Sequence, residues 1–446
     1  MIKKEGLFMK EYKYLLVYKA IIEDIEKGYL KYNDKIPSIR QMAKRLDVSR
    51  TTVESAYLQL LVEGYIYSKE KVGYFVDVEY NNHDINENIN QNDENDDYHK
   101  YKYDFSGRLV DGESFNLDIW KKYIKKALNQ GDDLMSYGDV RGEIKLKKAL
   151  QKYSHEYRGL SRPVNNYIIG AGFQILLYYV CSLFQNDEIV GIEEKGFMQA
   201  ETVFDDCHMK VVKLPADDQG LTLEGLKMYN LKLLYLNSSS GGYHGHPIKQ
   251  QRRLEIIEYA KKNGIYIIED DHNGELKYNT KPIDAMAKLD NDNIIYIGSF
   301  SKLLLPSIRI SYMVLPDKLL SIFIKKIDGY HQTASKLEQL ALAMYIEDGQ
   351  LARHLKRLRK HYRNKSKHLL TNLQKSFPKY KFVLYETALK ITMYIEDDLV
   401  DKYIQLAKEN DILVYKNKKN QITFSFSGIL DQDIDQATRV LKQIWQ

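Results

Sequence analysis

Residues 79–103, EYNNHDINENINQNDENDDYHKYKY, constrain the fold more than any other part of this chain. They are rich in Asn and acidic residues and hold two isoleucines as their only aliphatic side chains. Such a stretch cannot bury enough apolar surface to offset its conformational entropy, so it reads as a disordered linker. A surface loop of this length inside one domain is uncommon. The linker separates a head, residues 1–78, from a body, residues 104–446, and 446 residues are in any case too many for one ordinary domain.

Composition narrows the class. An apolar share of 44% leaves ample material for a globular core, and no apolar run approaches the length needed to cross a bilayer. The opening residues, MIKKEGLFMKEYKYLL, carry charges throughout and lack the apolar centre of a secretion signal. Two cysteines, Cys181 and Cys207, rule out a disulfide framework and point to a reducing cytoplasm. A net charge of +5 permits nucleic-acid binding through a local patch without requiring it.

In the head, residues 14–30 show helical apolar spacing with a stop at Gly28. Pro37 and Ser38 start a second helix with Ile39, Met42, Ala43 and Leu46 on one face. Asp47-Val48-Ser49 make a short turn, and Ser49 suits the N-cap of a third helix that buries Val53, Ala56, Tyr57, Leu60 and Leu61 and stops at Gly64. YIYSK and GYFVDV read as two strands around a turn, which completes a winged helix-turn-helix of α+β class. Ser49, Arg50, Thr51 and Thr52 begin the helix whose N-terminal residues face the major groove in this motif. Hydroxyls and a helix N-terminus suit phosphate, and Arg50 can also reach a guanine edge. A solvated face would explain any one of these residues; it explains the cluster less well, because Arg40, Lys44 and Arg45 lie around the same turn. The pattern PSxRxxAxxLxVSRxTVxxAYxxLxxEGY resembles the winged helix of the GntR family of bacterial regulators. The resemblance implies operator DNA as partner and Arg40, Arg50, Thr51, Thr52 and Gly73 of the wing as contacts.

In the body, the runs LKLLYL, IYIIED, NIIYIG and ISYMVLP read as buried parallel strands, with helical segments such as RRLEIIEYAKKNG between them. This alternation means an α/β fold with a mostly parallel sheet. Ligands in such sheets sit beyond the carboxyl ends of the strands. Those ends hold Glu269-Asp270-Asp271 and Ser299-Phe300-Ser301-Lys302. Two hydroxyls and Arg309 can hold a phosphate dianion, Lys302 offers an amine, and Asp270 offers a carboxylate. A phosphate cradle, an amine and an acid together suit pyridoxal 5'-phosphate (PLP), with the lysine as Schiff-base former and the acid on the pyridine nitrogen.

YGDVRG (137–142), IIGAGF (168–173), IEEKGF (192–197), IIEDDHNGELKY (267–278) and GSFSKLLLPSIRISYMVLP (298–316) are similar to stretches of the fold-type I aminotransferases. The whole chain resembles the MocR subgroup of GntR regulators, which join a winged helix to that fold. The resemblance implies that Lys302 carries PLP, that Asp270 holds its ring nitrogen, and that Ser299, Ser301, Arg309 and the backbone N–H groups of Ala171 and Gly172 hold its phosphate. It also implies that Phe197 stacks on the ring and that Tyr137 reaches the phosphate from a partner subunit of a head-to-tail homodimer. No metal is expected.

Four departures bear on activity. The family's EDDY tyrosine is His272, whose imidazole can still bond the ring hydroxyl, with different charge behaviour near neutral pH. The loop SSSGGYHG (238–245) places Ser240-Gly241 where a His-Gln pair is usual. Thr423 of TFSFSG stands at the carboxylate-clamping arginine, and Gln199 supplies no nearby replacement. Without that clamp an amino acid is held too loosely for efficient proton transfer. The expected function is therefore a transcriptional regulator that senses PLP, or an amine or amino acid joined to it, and no catalytic residue is assigned. The alternatives are an aminotransferase with an attached DNA-binding head and a body serving only to dimerise.

Overall fold

The structure is a computed structural model that describes residues 13–70, 72–78, 101–110, 112–194, 197–239, 247–279, 283–417 and 419–445. The chain divides into two compact units, residues 1–99 and 100–446. Residues 79–100 of the expected linker lie outside the described residues. Its last residue is corrected: Tyr103 is buried, and the strand Tyr103–Asp104 pairs in parallel with Ile412–Leu413 of the body. An aromatic side chain and a ladder partner there outweigh the polar composition that precedes them.

In the first unit, α1 (Lys13–Glu26), α2 (Ile39–Arg45) and α3 (Arg50–Val62) precede the antiparallel hairpin of β1 (Ile66–Lys69) and β2 (Gly73–Val76). Gly28 and Gly64 follow the helices with positive φ, the conformation that ends a helix cheaply when no Cβ is present. Val17, Ile21, Met42, Val53, Ala56, Tyr57, Leu60, Ile66 and Val76 form one core drawn from all five elements. Ser38 and Gln41 make a reciprocal capping box at the start of α2.

The second unit is organised around seven strands. They are β3 (Tyr167–Gly170), β4 (Ile189–Glu193), β5 (Lys210–Leu214), β6 (Leu233–Leu236), β7 (Tyr266–Asp271), β8 (Ile294–Ser299) and β9 (Ser311–Val314), in spatial order β3-β9-β8-β7-β6-β4-β5. The pairs β8–β7, β7–β6, β6–β4 and β4–β5 are parallel. β9, expected to be parallel, runs antiparallel to both β8 and β3. A parallel return needs a crossover of a dozen or more residues, and only residues 300–310 separate β8 from β9. Helices such as α4 (Phe173–Cys181) and α5 (Gln250–Lys262) supply the crossovers. Tyr167, Ile168, Ile169, Leu233, Leu234, Ile267, Ile268, Ile295 and Ile297 are wholly buried, as near-continuous apolar strands covered on both faces must be. The 27-residue helix α6 (Gln350–Ser376) leads to a smaller antiparallel sheet of Lys381–Tyr385, Lys390–Tyr394, Gln421–Ser425 and Tyr415–Lys416. Among the described residues, no helix is long and apolar enough to cross a membrane.

Candidate functional site

The acidic triplet at the end of β7 is divided by the pleat, because successive strand residues face opposite sides of a sheet. Glu269 and Asp271 point one way. Glu269 accepts from the Met286 and Ala287 N–H groups at 2.7 and 2.8 Å and from the Ser238 hydroxyl. Asp271 pairs with buried Arg158 and accepts from the Tyr296 hydroxyl at 2.8 Å and from Ser239. Both carboxylates are thus consumed inside the fold. Asp270 points the other way, into a cavity of about 260 Å³ lined also by Phe173, Gln174, Phe197, Gln199, Asn237, His272, Ser299, Ser301 and Arg309.

Asp270 accepts a 2.6 Å hydrogen bond from Tyr235 of β6, which pairs with Ile268 of β7 and so shares the Asp270 face. Burial pushes the Asp270 carboxyl up to about 7, against the pull of the Tyr235 hydroxyl. No cation offsets this acid among the described residues that bond it, and a protonated ring nitrogen is the group that would. The residues present therefore fit PLP at its nitrogen end. They also fit at the phosphate end. Ser299 and Ser301 present hydroxyls 3.1 Å apart, and Ser311 donates to Ser299 at 3.2 Å. Arg309 adopts a left-handed backbone, φ 49°, which lays its guanidinium over Gly172. A Cβ on Gly172 would stand 2.6 Å from the Arg309 Nη2, so the close approach needs glycine.

The Ala171 N–H donates to the Thr333 hydroxyl at 3.1 Å and the Gly172 N–H to the Gly170 carbonyl at 2.8 Å, so both are engaged. The next donors belong to the start of α4, which has no side-chain cap. Lys302, next to Ser301, donates its amine to the carbonyls of Gly107 and Leu109. Burial lowers its pKa to about 8, with Asp104 opposing. Phe197 lies at the cavity with its ring edge-on to Phe173, centroids 5.6 Å apart. Burial and then Lys302 push His272 down to about 4. Its imidazole is therefore the neutral form at physiological pH. Tyr137 does not line this cavity; it is 90% exposed, with its ring 5.8 Å from His331.

Thr423 is buried in the smaller sheet, its hydroxyl 3.1 Å from that of Thr392, and it does not line the cavity. Gln199 does. Ser240 and Gly241 lie outside the described residues. Sequence reasoning missed Tyr235, Asn237, Gln174 and Thr333. The first two were within reach, since both sit at the carboxyl end of LKLLYLN, where ligands of such sheets bind. Thr333 and Gln174 carried no local signal.

In the first unit, Ser49 caps α3 by accepting from the Thr52 N–H at 3.1 Å, and its hydroxyl lies 2.8 and 2.7 Å from those of Thr51 and Thr52. Arg40, Lys44, Arg45, Ser49, Arg50 and Thr51 are exposed around this turn, with Thr52 half-buried. Gly73 opens β2 at φ 133°, which lets the wing turn where few other residues could.

Residues 107–439 match the family Aminotransferase class I and II, and residues 13–76 match Bacterial regulatory proteins, gntR family. The HTH-type transcriptional regulator YdeL of Bacillus subtilis is 32% identical over 97% of this chain and 96% of its own length. The probable rhizopine catabolism regulatory protein MocR of Rhizobium meliloti is 28% identical over 79% of this chain and 75% of its own. Pyrococcus horikoshii kynurenine aminotransferase superposes on 77% of this chain and 90% of its own with a TM-score of 0.68 at 23% identity, which establishes the fold. With a gntR-type head, and with a body of the aminotransferase class whose cofactor is PLP, the chain belongs to the MocR group of HTH-type transcriptional regulators.

Proposed function

We propose that this regulator reads the supply of PLP, free or joined to an amine, through Lys302, and that it binds its operator as a homodimer in the cytoplasm. The head of residues 1–78 binds DNA, the stretch 79–102 links it to the body, and residues 103–446 bind the effector. One observation carries the reading: of three consecutive acids, Asp270 alone faces the cavity, with Ser299, Ser301 and Arg309 around it, while Lys302 follows Ser301 in the chain and turns its amine to the Gly107 and Leu109 carbonyls.

PLP supplies an aldehyde that captures amines covalently and a ring that withdraws electrons. The chain's own groups do the rest. Asp270 keeps a proton on the ring nitrogen, Arg309 with the two serines anchors the phosphate, and Phe197 covers one ring face. His272, held neutral, offers an uncharged hydrogen bond to the ring hydroxyl. Burial lowers the amine of Lys302 to about 8, so the neutral form that captures an aldehyde is a minority at neutral pH and grows as pH rises through 8. Tyr137, exposed on its own protomer, is assigned to the partner's phosphate. The place of the family's carboxylate-clamping arginine holds Thr423, already paired with Thr392, and this favours sensing over transamination.

A ligand shifts operator affinity only if it binds the DNA-competent arrangement differently from the other. The test is the affinity for DNA enriched by the wild-type chain from a random pool, with and without PLP, for wild type and Lys302→Ala. A PLP response in wild type that Lys302→Ala lacks supports the proposal. Equal responses reject it, and steady amino-group transfer between an amino acid and a keto acid would put the aminotransferase reading in its place.

A further inference from the structure

The helix α6, QLARHLKRLRKHYRNKSKHLLTNLQKS, carries nine lysines and arginines and no acidic residue in its 27 positions. The whole chain balances 66 basic against 61 acidic residues; outside this helix the figures are 57 and 61, so α6 sets the sign of the net charge. One face, with Leu351, Leu355, Leu358, Tyr362, Leu369 and Leu373, is buried in the core. The opposite face exposes Lys356, Arg357, Lys360 and Lys367, whose spacings of three, four and seven residues align them in one stripe.

Three other cations of α6 have work within the fold. Arg353, Arg359 and Arg363 donate to the carbonyls of Asp348, Glu275 and Tyr278. Among the described residues, no hydrogen bond or ion pair engages the four stripe residues. A merely solvated face would gain from glutamates four residues before lysines. This helix instead sets like charges four apart at Arg353 and Arg357, Lys356 and Lys360, and Arg363 and Lys367, each pair costing about 0.2–0.5 kcal/mol. Concentrated, unpaired positive charge on a rigid rod about 40 Å long at about 1.5 Å per residue is complementary to a run of phosphates.

We infer that the exposed face of α6 is a second, sequence-independent contact for the backbone of duplex DNA, separate from the winged helix. DNA is the favoured polyanion because the gntR-type head already brings a duplex to the chain, which raises its local concentration at the body.

The experiment measures binding of the full-length chain to a random-sequence duplex of about 40 base pairs across about 50–200 mM salt. A variant with Lys356→Gln, Arg357→Gln, Lys360→Gln and Lys367→Gln should show a log-affinity against log-salt slope shallower by roughly 3–4. Wild type should accordingly lose about 100-fold more affinity across that range than the variant. Exchanging lysine for arginine and arginine for lysine at the same four places should keep the wild-type slope. The milder Lys356→Gln, Lys360→Gln pair should lower it by roughly 2. An unchanged slope in the four-glutamine variant overturns the inference. So does a four-glutamine variant that detaches from phosphatidylserine vesicles while its duplex slope stays at the wild-type value, which would assign the face to a membrane surface.

Discussion

Lys302 is half-buried, its amine held among the described residues by two carbonyl oxygens, and desolvation accounts for its lowered pKa of about 8. A group lowered in this way is protonated below that pH and neutral above it, and only the neutral amine attacks an aldehyde. Borohydride-trapped PLP on the wild-type chain should therefore rise with pH through about 8 and level off. Mass spectrometry of the trapped chain checks this; a rise delayed to the range of an ordinary lysine would contradict it, and Lys302→Ala should trap nothing at this site. Asp270 gives a second prediction. Asp270→Asn keeps the shape but removes the charge facing the ring nitrogen, a loss of about 1.5–3 kcal/mol, or roughly 10–150-fold in PLP affinity. Fluorescence titration reads it, and a change below threefold would show that the ring nitrogen lies elsewhere. His272 gives a third prediction. Since burial holds its imidazole at about 4, His272→Gln should leave the pH dependence of PLP binding between pH 5.5 and 7.5 unchanged, whereas a histidine titrating near its usual value would add a step.

Two short segments at element ends carry much of both sites. The first is the start of α3, where Ser49 both caps the helix and draws in the hydroxyls of Thr51 and Thr52. Ser49→Ala should cost about 1 kcal/mol in the head and weaken DNA binding, because the same turn presents Arg50. Thermal unfolding and DNA titration of the same variant separate the cap from the contact: a weaker contact with unaltered melting would show that the hydroxyl touches DNA and does not stabilise the helix. The second is the turn before α4. Gly172 has φ 98° and faces the Arg309 guanidinium, so Gly172→Ala adds both backbone strain and a collision at 2.6 Å. PLP affinity should fall at least tenfold with the far-UV circular dichroism intact, and retention of affinity would remove Arg309 from the phosphate.

At the scale of the molecule, the division into residues 1–99 and 100–446 means that ligand and DNA report on different units. PLP at about 100 times its dissociation constant should stabilise the unit it binds by about 2.7 kcal/mol. Calorimetry of the full chain should show the larger unit's transition moving up while the smaller unit's stays in place, and a shift confined to the smaller unit would refute the assignment. The two-part division was legible because composition acts locally: the polar composition of residues 79–103 reads as a break between two cores, and the winged-helix pattern needs only near neighbours. Asp270, Ser299 and Lys302 stand at or just past the ends of apolar runs, which a mostly parallel sheet turns to its ligand side, whereas Arg309 precedes its strand and comes to that side through the antiparallel direction of β9. Local sequence could not show the reversed direction of β9, the Thr333 hydroxyl on the Ala171 N–H, or Tyr235 under Asp270, because each joins residues distant in sequence. The chain by itself therefore determined which side chains stand at the strand ends and that a DNA-binding head precedes them. Only tertiary packing decided their state, because removal from water by distant residues keeps Asp270 near 7, Lys302 near 8 and His272 uncharged, and no run of neighbouring letters records that desolvation.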